Sequence, residues 1–186
     1  MSLRQDKPKI EGDTMDKHDR GERREQGGSG KSPDELYAEA QKLINNGRER
    51  DAMELLKKLV TSYPDYALAH NDLGVLSYNQ GNKEEALHHY EKAAQLGPYN
   101  DTFQKNLADF YFVEAGRMEE ALEIYLEILK RNPTDIETLV IMGQICVSLN
   151  KIDDAKFFYH RALELEPWNV DARERLDELE KGVGDY

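Results

Sequence analysis

Cysteine is almost missing from this chain. Cys146 is the only one in 186 residues, so no intrachain disulfide can staple the fold. Such usage fits a reducing compartment, and the expectation is a cytoplasmic location. Long apolar runs are missing too, and nothing approaches the roughly 18 consecutive apolar residues of a membrane span. The first 30 residues hold no apolar stretch of the kind a secretory signal needs. Positive charge is in deficit: 25 Lys and Arg against 37 Asp and Glu leave a net charge of −12. That balance argues against the phosphate backbone of a nucleic acid as the main partner. Strand signals are absent as well.

Residues 1–32 differ in character from the rest. They hold 8 basic and 7 acidic residues and no Phe, Trp or Tyr. A segment so poor in apolar side chains cannot offset its ordering entropy by burial, so a disordered tail is expected over 1–32. Gly27-Gly28-Ser29-Gly30 has the composition of a linker. Gly30-Lys31-Ser32 has the ending of a phosphate-binding loop, but that motif needs Gly where Glu25 stands. It also needs a buried strand ahead of it, and Asp19-Arg20-Gly21-Glu22-Arg23-Arg24 is not one.

From Pro33 onward Ala, Leu, Glu, Lys and Gln dominate, and apolar residues recur three and four apart, the period of an amphipathic helix. Pro64, Pro98, Pro133 and Pro167 are spaced by 34, 35 and 34 residues. A fixed period of that size signals stacked helical repeats. Overlaying the segments puts small residues at place 8 (Ala40, Gly74, Ala108, Gly143) and Ala at place 20 (Ala52, Ala86, Ala121, Ala155). Place 24 is large: Leu56, Tyr90, Tyr125, Tyr159. Two antiparallel helices cross closely only where small residues meet, and the large residue fills the space beside them. The third repeat carries one extra residue between Ala108 and Ala121, which is expected in the turn before Gly116.

This pattern resembles the tetratricopeptide repeat family, including the pair Leu73-Gly74. The usual Trp at place 4 is replaced by Leu36, His70, Gln104 and Leu139. The resemblance implies an all-α, right-handed superhelix of four helix pairs, at about 33–66, 67–100, 101–135 and 136–169, within a domain over 33–186. A ninth helix over about 170–181 keeps Ala172, Leu176 and Leu179 for packing and is charged elsewhere, as a solubilising end cap is.

No catalytic constellation emerges. His18, His70, His88, His89 and His160 show no metal-ligand spacing and are expected on the surface. Cys146 lies on an apolar helix face without a His partner and reads as a packed thiol. No enzyme activity, cofactor or metal is expected.

In the family resembled, the first helix of each repeat lines a concave groove. Carried over place by place, the groove residues are Tyr37 and Gln41; Asn71, Asp72, Val75, Tyr78 and Asn79; Lys105, Asn106, Asp109 and Phe112; and Val140, Ile141 and Gln144. Ile44, Asn45, Val147 and Ser148 fall at the ends of the same strip. Aromatic and apolar pockets with amides suit an extended peptide or a helix. Some relatives grip a C-terminal carboxylate with Lys and Asn. Here Asp72 and Asp109 crowd Lys105 and Asn106, so acidic chaperone tails do not fit and a neutral or basic peptide is expected. The Asn ladder of sugar-transferase relatives is also broken, at Ala38, Asp72 and Ile141. Outside the groove, Phe157 and Phe158 either pack against the end cap or form a self-association patch. The resulting expectation is a protein- or peptide-binding adaptor or scaffold without membrane attachment. The rivals are a regulatory segment of a larger enzyme such as a transferase, and a self-assembling array.

Overall fold

The computed structural model describes residues 31–181; the expected tail lies almost wholly outside them. Nine α-helices and no strand make up the described residues: α1 (Pro33–Asn45), α2 (Glu49–Ser62), α3 (Ala67–Asn79), α4 (Lys83–Leu96), α5 (Asp101–Val113), α6 (Met118–Arg131), α7 (Ile136–Ser148), α8 (Ile152–Leu165) and α9 (Val170–Lys181). Each packs chiefly on the helix before and after it, with the tightest pairing inside a repeat: α1 with α2, α3 with α4, α5 with α6, α7 with α8. The result is an all-α solenoid.

Local chemistry sets the helix ends. Ser32 caps α1 in a reciprocal box: its Oγ accepts from Glu35 N at 3.2 Å, and Glu35 accepts from Ser32 N at 2.8 Å. Ser32 therefore belongs to the repeats and not to the tail in which the sequence reading put it. Asn100, Asp135 and Asn169 cap α5, α7 and α9 with their side-chain oxygens. Tyr66 occupies the same place before α3 and offers no such cap.

The turn inside each repeat carries one residue in the left-handed region. It is Gly47, Gly81 and Gly116 in the first three repeats, and Asn150 at φ 57° in the fourth. These turns span 46–48, 80–82 and 149–151, but 114–117 in the third repeat. The extra residue thus sits after α5, in the turn holding Gly116, as its position relative to Ala108 and Ala121 led one to expect.

Close crossing follows from the small residues. Ala40, Ala52, Ala86, Ala108, Ala121 and Ala155 are fully buried, and so are Leu56, Tyr125 and Tyr159. At Gly74 an added Cβ would lie 2.6 Å from the ring of Tyr90, and at Gly143 it would collide with the ring of Tyr159. In the second and fourth repeats the Tyr ring at place 24 lies directly over place 8 and leaves no room for a methyl, whereas the third repeat accommodates Ala108 with Tyr125. Ala172 and Leu176 of α9 are buried in the last core cluster, closing the stack behind α8.

Candidate functional site

Contacts between residues one repeat apart line up the first helices. Tyr37 Oη on α1 donates to Asp72 Oδ2 on α3 at 2.9 Å, and the Gln41 amide donates to the same oxygen. Asn106 Nδ2 on α5 donates to Asn71 Oδ1 on α3 at 2.7 Å. Tyr78 Oη donates to Glu114 Oε1 at 2.7 Å. Lys105 Nζ on α5 lies 2.8 Å from Asp135 and 2.7 Å from Glu137. Side chains separated by one repeat can touch only if α1, α3, α5 and α7 present them to one continuous strip.

A cavity of about 280 Å³ opens in this strip between α3 and α5. Val75, Tyr78, Tyr90, Phe110 and Val113 supply its apolar wall, and Asn106, Asp109 and Glu114 its polar part. Tyr78 meets Phe110 edge to face at 6.1 Å between centroids, and Tyr90 lies 6.0 Å from the same ring.

Electrostatics in the strip are dominated by carboxylates. Burial holds the carboxyls of Asp72 and Asp109 above the usual aspartate range, against the opposing effect of the hydroxyl and amide donors on them. Asp109 accepts from the hydroxyl of Tyr125 beneath it. Glu114 is engaged by Lys83 as well as by Tyr78, and these bonds keep its carboxyl below the usual range. Burial works against the charge of Lys105, but its bonds to Asp135 and Glu137 outweigh that and raise its pKa.

The residues carried over from the repeat pattern fall into several environments. Val75, Tyr78, Asn106 and Asp109 converge on the cavity. Tyr37, Gln41, Asn71 and Asp72 form a hydrogen-bonded cluster beside it, in which Asn71 is only 8% exposed. Phe112 and Ile141 are half-buried against the central core. Val140 is not in the open strip but buried, at 8% exposure, in the last core cluster. Gln144 lines a separate depression with Tyr159, Arg175 and Glu178, and Asn79 is exposed. Of the aromatic pair on α8, Phe157 is 63% exposed while Phe158 packs partly into the core.

Sequence reasoning missed Phe110, Val113 and Glu114, and read Tyr90 only as a packing residue at place 24. Glu114 enters because α5 is followed by a longer turn whose first residue reaches back toward Tyr78 and Lys83. The extra residue was the available signal.

The histidines require a correction. His70 and His89 are buried, at 6% and 8% exposure, and face each other across α3 and α4. His70 stands at the place usually held by Trp, so the solenoid buries it in that socket. His88 and His160 are exposed, and His18 lies outside the described residues. Among the described residues no group of three or more His, Cys, Asp or Glu is placed to hold a metal, and no helix is long and apolar enough to cross a membrane. Cys146 is a buried free thiol.

Stacked helix pairs with a shared strip of first helices define a helical-repeat scaffold. Three family models described as tetratricopeptide repeat match residues 37–101, 80–145 and 136–167, and the chain belongs to that family. Among solved structures, a tetratricopeptide repeat protein from Parabacteroides merdae superposes with a TM-score of 0.76 at 30% identity, over 84% of this chain and 62% of that one. The first repeat domain of Spaghetti (RPAP3), bound to the HSP90 peptide SRMEEVD, gives a TM-score of 0.57 at 28% identity, over 63% of this chain and 92% of that one. The stress-induced-phosphoprotein 1 of Caenorhabditis elegans is 32% identical over 123 residues, which are 63% of this chain and 38% of that protein. The chain spans 38%, 17% and 24% of the lengths of the first three curated relatives it matches.

Proposed function

We propose that the chain is a non-catalytic adaptor or scaffold module of the cytoplasm that binds a protein partner through a peptide laid along the first-helix strip. The observation that carries this reading is the cavity between α3 and α5, walled by Val75, Tyr78 and Phe110 and flanked by the Asn106 amide. An apolar recess beside an amide accommodates a side chain while the neighbouring peptide group is hydrogen-bonded. The peptide-bound relative supports a peptide as the kind of ligand. Its acidic sequence does not transfer easily. Lys105 in this strip and Lys83 beside it at the start of α4 are already engaged by carboxylates, and the half-buried acids Asp72 and Asp109 favour a neutral or basic peptide.

The test is affinity capture from the source cell with the wild-type chain, a Tyr78→Ala/Asn106→Ala double variant and Glu123→Ala. The double variant should lose its partner with its helicity unchanged, and Glu123→Ala should behave as wild type. Retention of every partner by the double variant would place the binding surface elsewhere.

A further inference from the structure

The cavity between α3 and α5 has a composition that selects more narrowly than an apolar recess does. Three aromatic rings stand around it, with Phe110 in the middle and Tyr78 and Tyr90 at 6.1 and 6.0 Å from it. Two carboxylates join them, and they are not equivalent. Glu114 is neutralised by Lys83. Asp109 is half-buried, accepts a single neutral hydroxyl from Tyr125, and has no Lys, Arg or His within salt-bridge distance among the described residues. Lys105, one turn before Asp109 on α5, acts on it only at a distance, because its ammonium is paired with Asp135 and Glu137. A carboxylate withdrawn from water without a direct ion-pair partner is a standing cost, and a cation brought to it removes part of that cost. Aromatic faces attract the same cation through their quadrupoles.

Alternative occupants fare worse. An aliphatic side chain would displace water from Asp109 and return nothing to it. An acidic side chain would meet Asp109 and Glu114 at short range. A lysine or arginine offers both parts, an alkyl stem for Val75 and Val113 and a cationic head for Asp109 and the rings. The chain as a whole, at −12, draws a basic partner in the same direction.

We propose that this cavity is a cation pocket that receives a lysine or arginine side chain of the bound peptide, with Asp109 as the counter-charge and Tyr78, Tyr90 and Phe110 as the surrounding rings. The assignment rests on the reading of the first-helix strip as the peptide groove, and it adds the residue class that the groove reads.

The experiment uses the full ¹⁵N-labelled chain titrated with four blocked amino acids, the N-acetyl methylamides of arginine, lysine, norleucine and glutamate, followed by amide chemical shifts. The arginine and lysine probes should give saturating shifts at Val75, Tyr78, Phe110 and Val113, with affinity at least about 5-fold above norleucine, the ratio expected of a modest cation–π and ion-pair gain. The glutamate probe should give none. Asp109→Asn keeps an acceptor for Tyr125 and should bring the cationic probes to within about 2-fold of norleucine. Phe110→Leu should weaken the cationic probes with Asp109 intact. Norleucine binding as tightly as arginine at these four amides would overturn the cation pocket and leave the peptide groove standing. So would a cationic preference that survives Asp109→Asn. An absence of shifts there with all four probes would overturn the pocket, and the capture experiment above would then decide the groove by itself.

Discussion

His70 Nδ1 lies 3.0 Å from His89 Nδ1, and His70 Nε2 lies 2.9 Å from the carbonyl oxygen of Pro64. A carbonyl oxygen only accepts, so neutral His70 carries its proton on Nε2 and presents a lone pair at Nδ1. His89 must then donate from Nδ1. Two imidazoles are thereby locked in opposite tautomers in the interface of α3 and α4.

That pair makes stability depend on pH. Burial lowers the pKa of both rings, and the neighbouring His70 and His88 push His89 further, down to about 4. Glu85 opposes the shift on His89, Asp65 opposes it on His70, and Lys57 and Lys92 reinforce it. A folded pKa below the unfolded value means that the unfolded chain takes up protons first. The stabilisation is therefore full above about pH 6.5 and is lost as pH falls toward 4. His89→Asn supplies an amide donor near the same place but does not titrate. Compared with wild type, its loss of stability between about pH 6.5 and 4 should be smaller by roughly 1–2 kcal/mol, read from urea unfolding at each pH. Carboxylates titrating in this window act in both proteins, so the difference reports the pair. Parallel pH profiles would show that the imidazoles stay neutral for another reason.

Equivalent tyrosines in successive repeats should respond differently to loss of the hydroxyl. Tyr125 Oη donates to Asp109, whereas the buried Tyr159 Oη has no hydrogen-bond partner. The place that holds Asp109 in the third repeat holds Gln144 in the fourth. Tyr125→Phe removes a bond to a charged group and should cost about 1.5–3 kcal/mol. Tyr159→Phe removes an unsatisfied polar atom and should be neutral or stabilising by up to about 1 kcal/mol. Thermal or urea unfolding decides, and equal losses would mean that Tyr159 Oη is bonded in solution.

Residues at fixed places were legible before any coordinates, because their demand is steric and local to one helix crossing. Ala86 and Tyr90, or Ala155 and Tyr159, announce themselves by size and by their recurrence every 34 or 35 residues. Some helix ends were equally plain, as where Gly116 and the recurring prolines marked them, but the Ser32 cap was read as part of the tail. What the pattern could not show was which partner a polar side chain finds on the next helix. His70 and His89 are 19 positions apart, and nothing in the spacing pairs their rings. Asn71 and Asn106 both read as free amides, yet they bond to each other across a repeat. The cavity likewise depends on Glu114, whose place follows from a turn longer by one residue and not from helical period.

The adjacent phenylalanines of α8 separate into a packed and an unpacked member. Phe158 is half-buried against both the central and the last core clusters, while Phe157 is 63% exposed and touches its neighbour's ring edge to face at 5.3 Å. Phe158→Ala should cost about 1.5–3 kcal/mol, below the 3–5 of a fully buried ring. Phe157→Glu should fall within about 0.5 kcal/mol of wild type. Sedimentation of the second variant tests the association patch: a lower mass than the parent at equal concentration is the outcome that patch requires.

Gly74 and Tyr90 should behave as one unit. A methyl on Gly74 would lie 2.6 Å from Cδ1 and Cε1 of Tyr90, a ring only 6% exposed that also lies 6.0 Å from the ring of Phe110. Contacts that short force the ring or the helix backbone to shift, so Gly74→Ala should cost roughly 1–3 kcal/mol despite the better helix propensity of Ala. The first repeat shows the compatible alternative, Ala40 with Leu56, both fully buried. The third repeat combines Ala108 with Tyr125, and it is the repeat with the four-residue turn over 114–117. Tyr90→Leu alone opens space beside Phe110 and should also destabilise. In the double variant the new methyl occupies part of that space, so the two losses should not add. A coupling of about 1 kcal/mol or more, measured by a double-mutant cycle in urea, is expected of residues in direct contact. Additive losses within about 0.3 kcal/mol would show that Gly74 is required for a reason other than the ring above it.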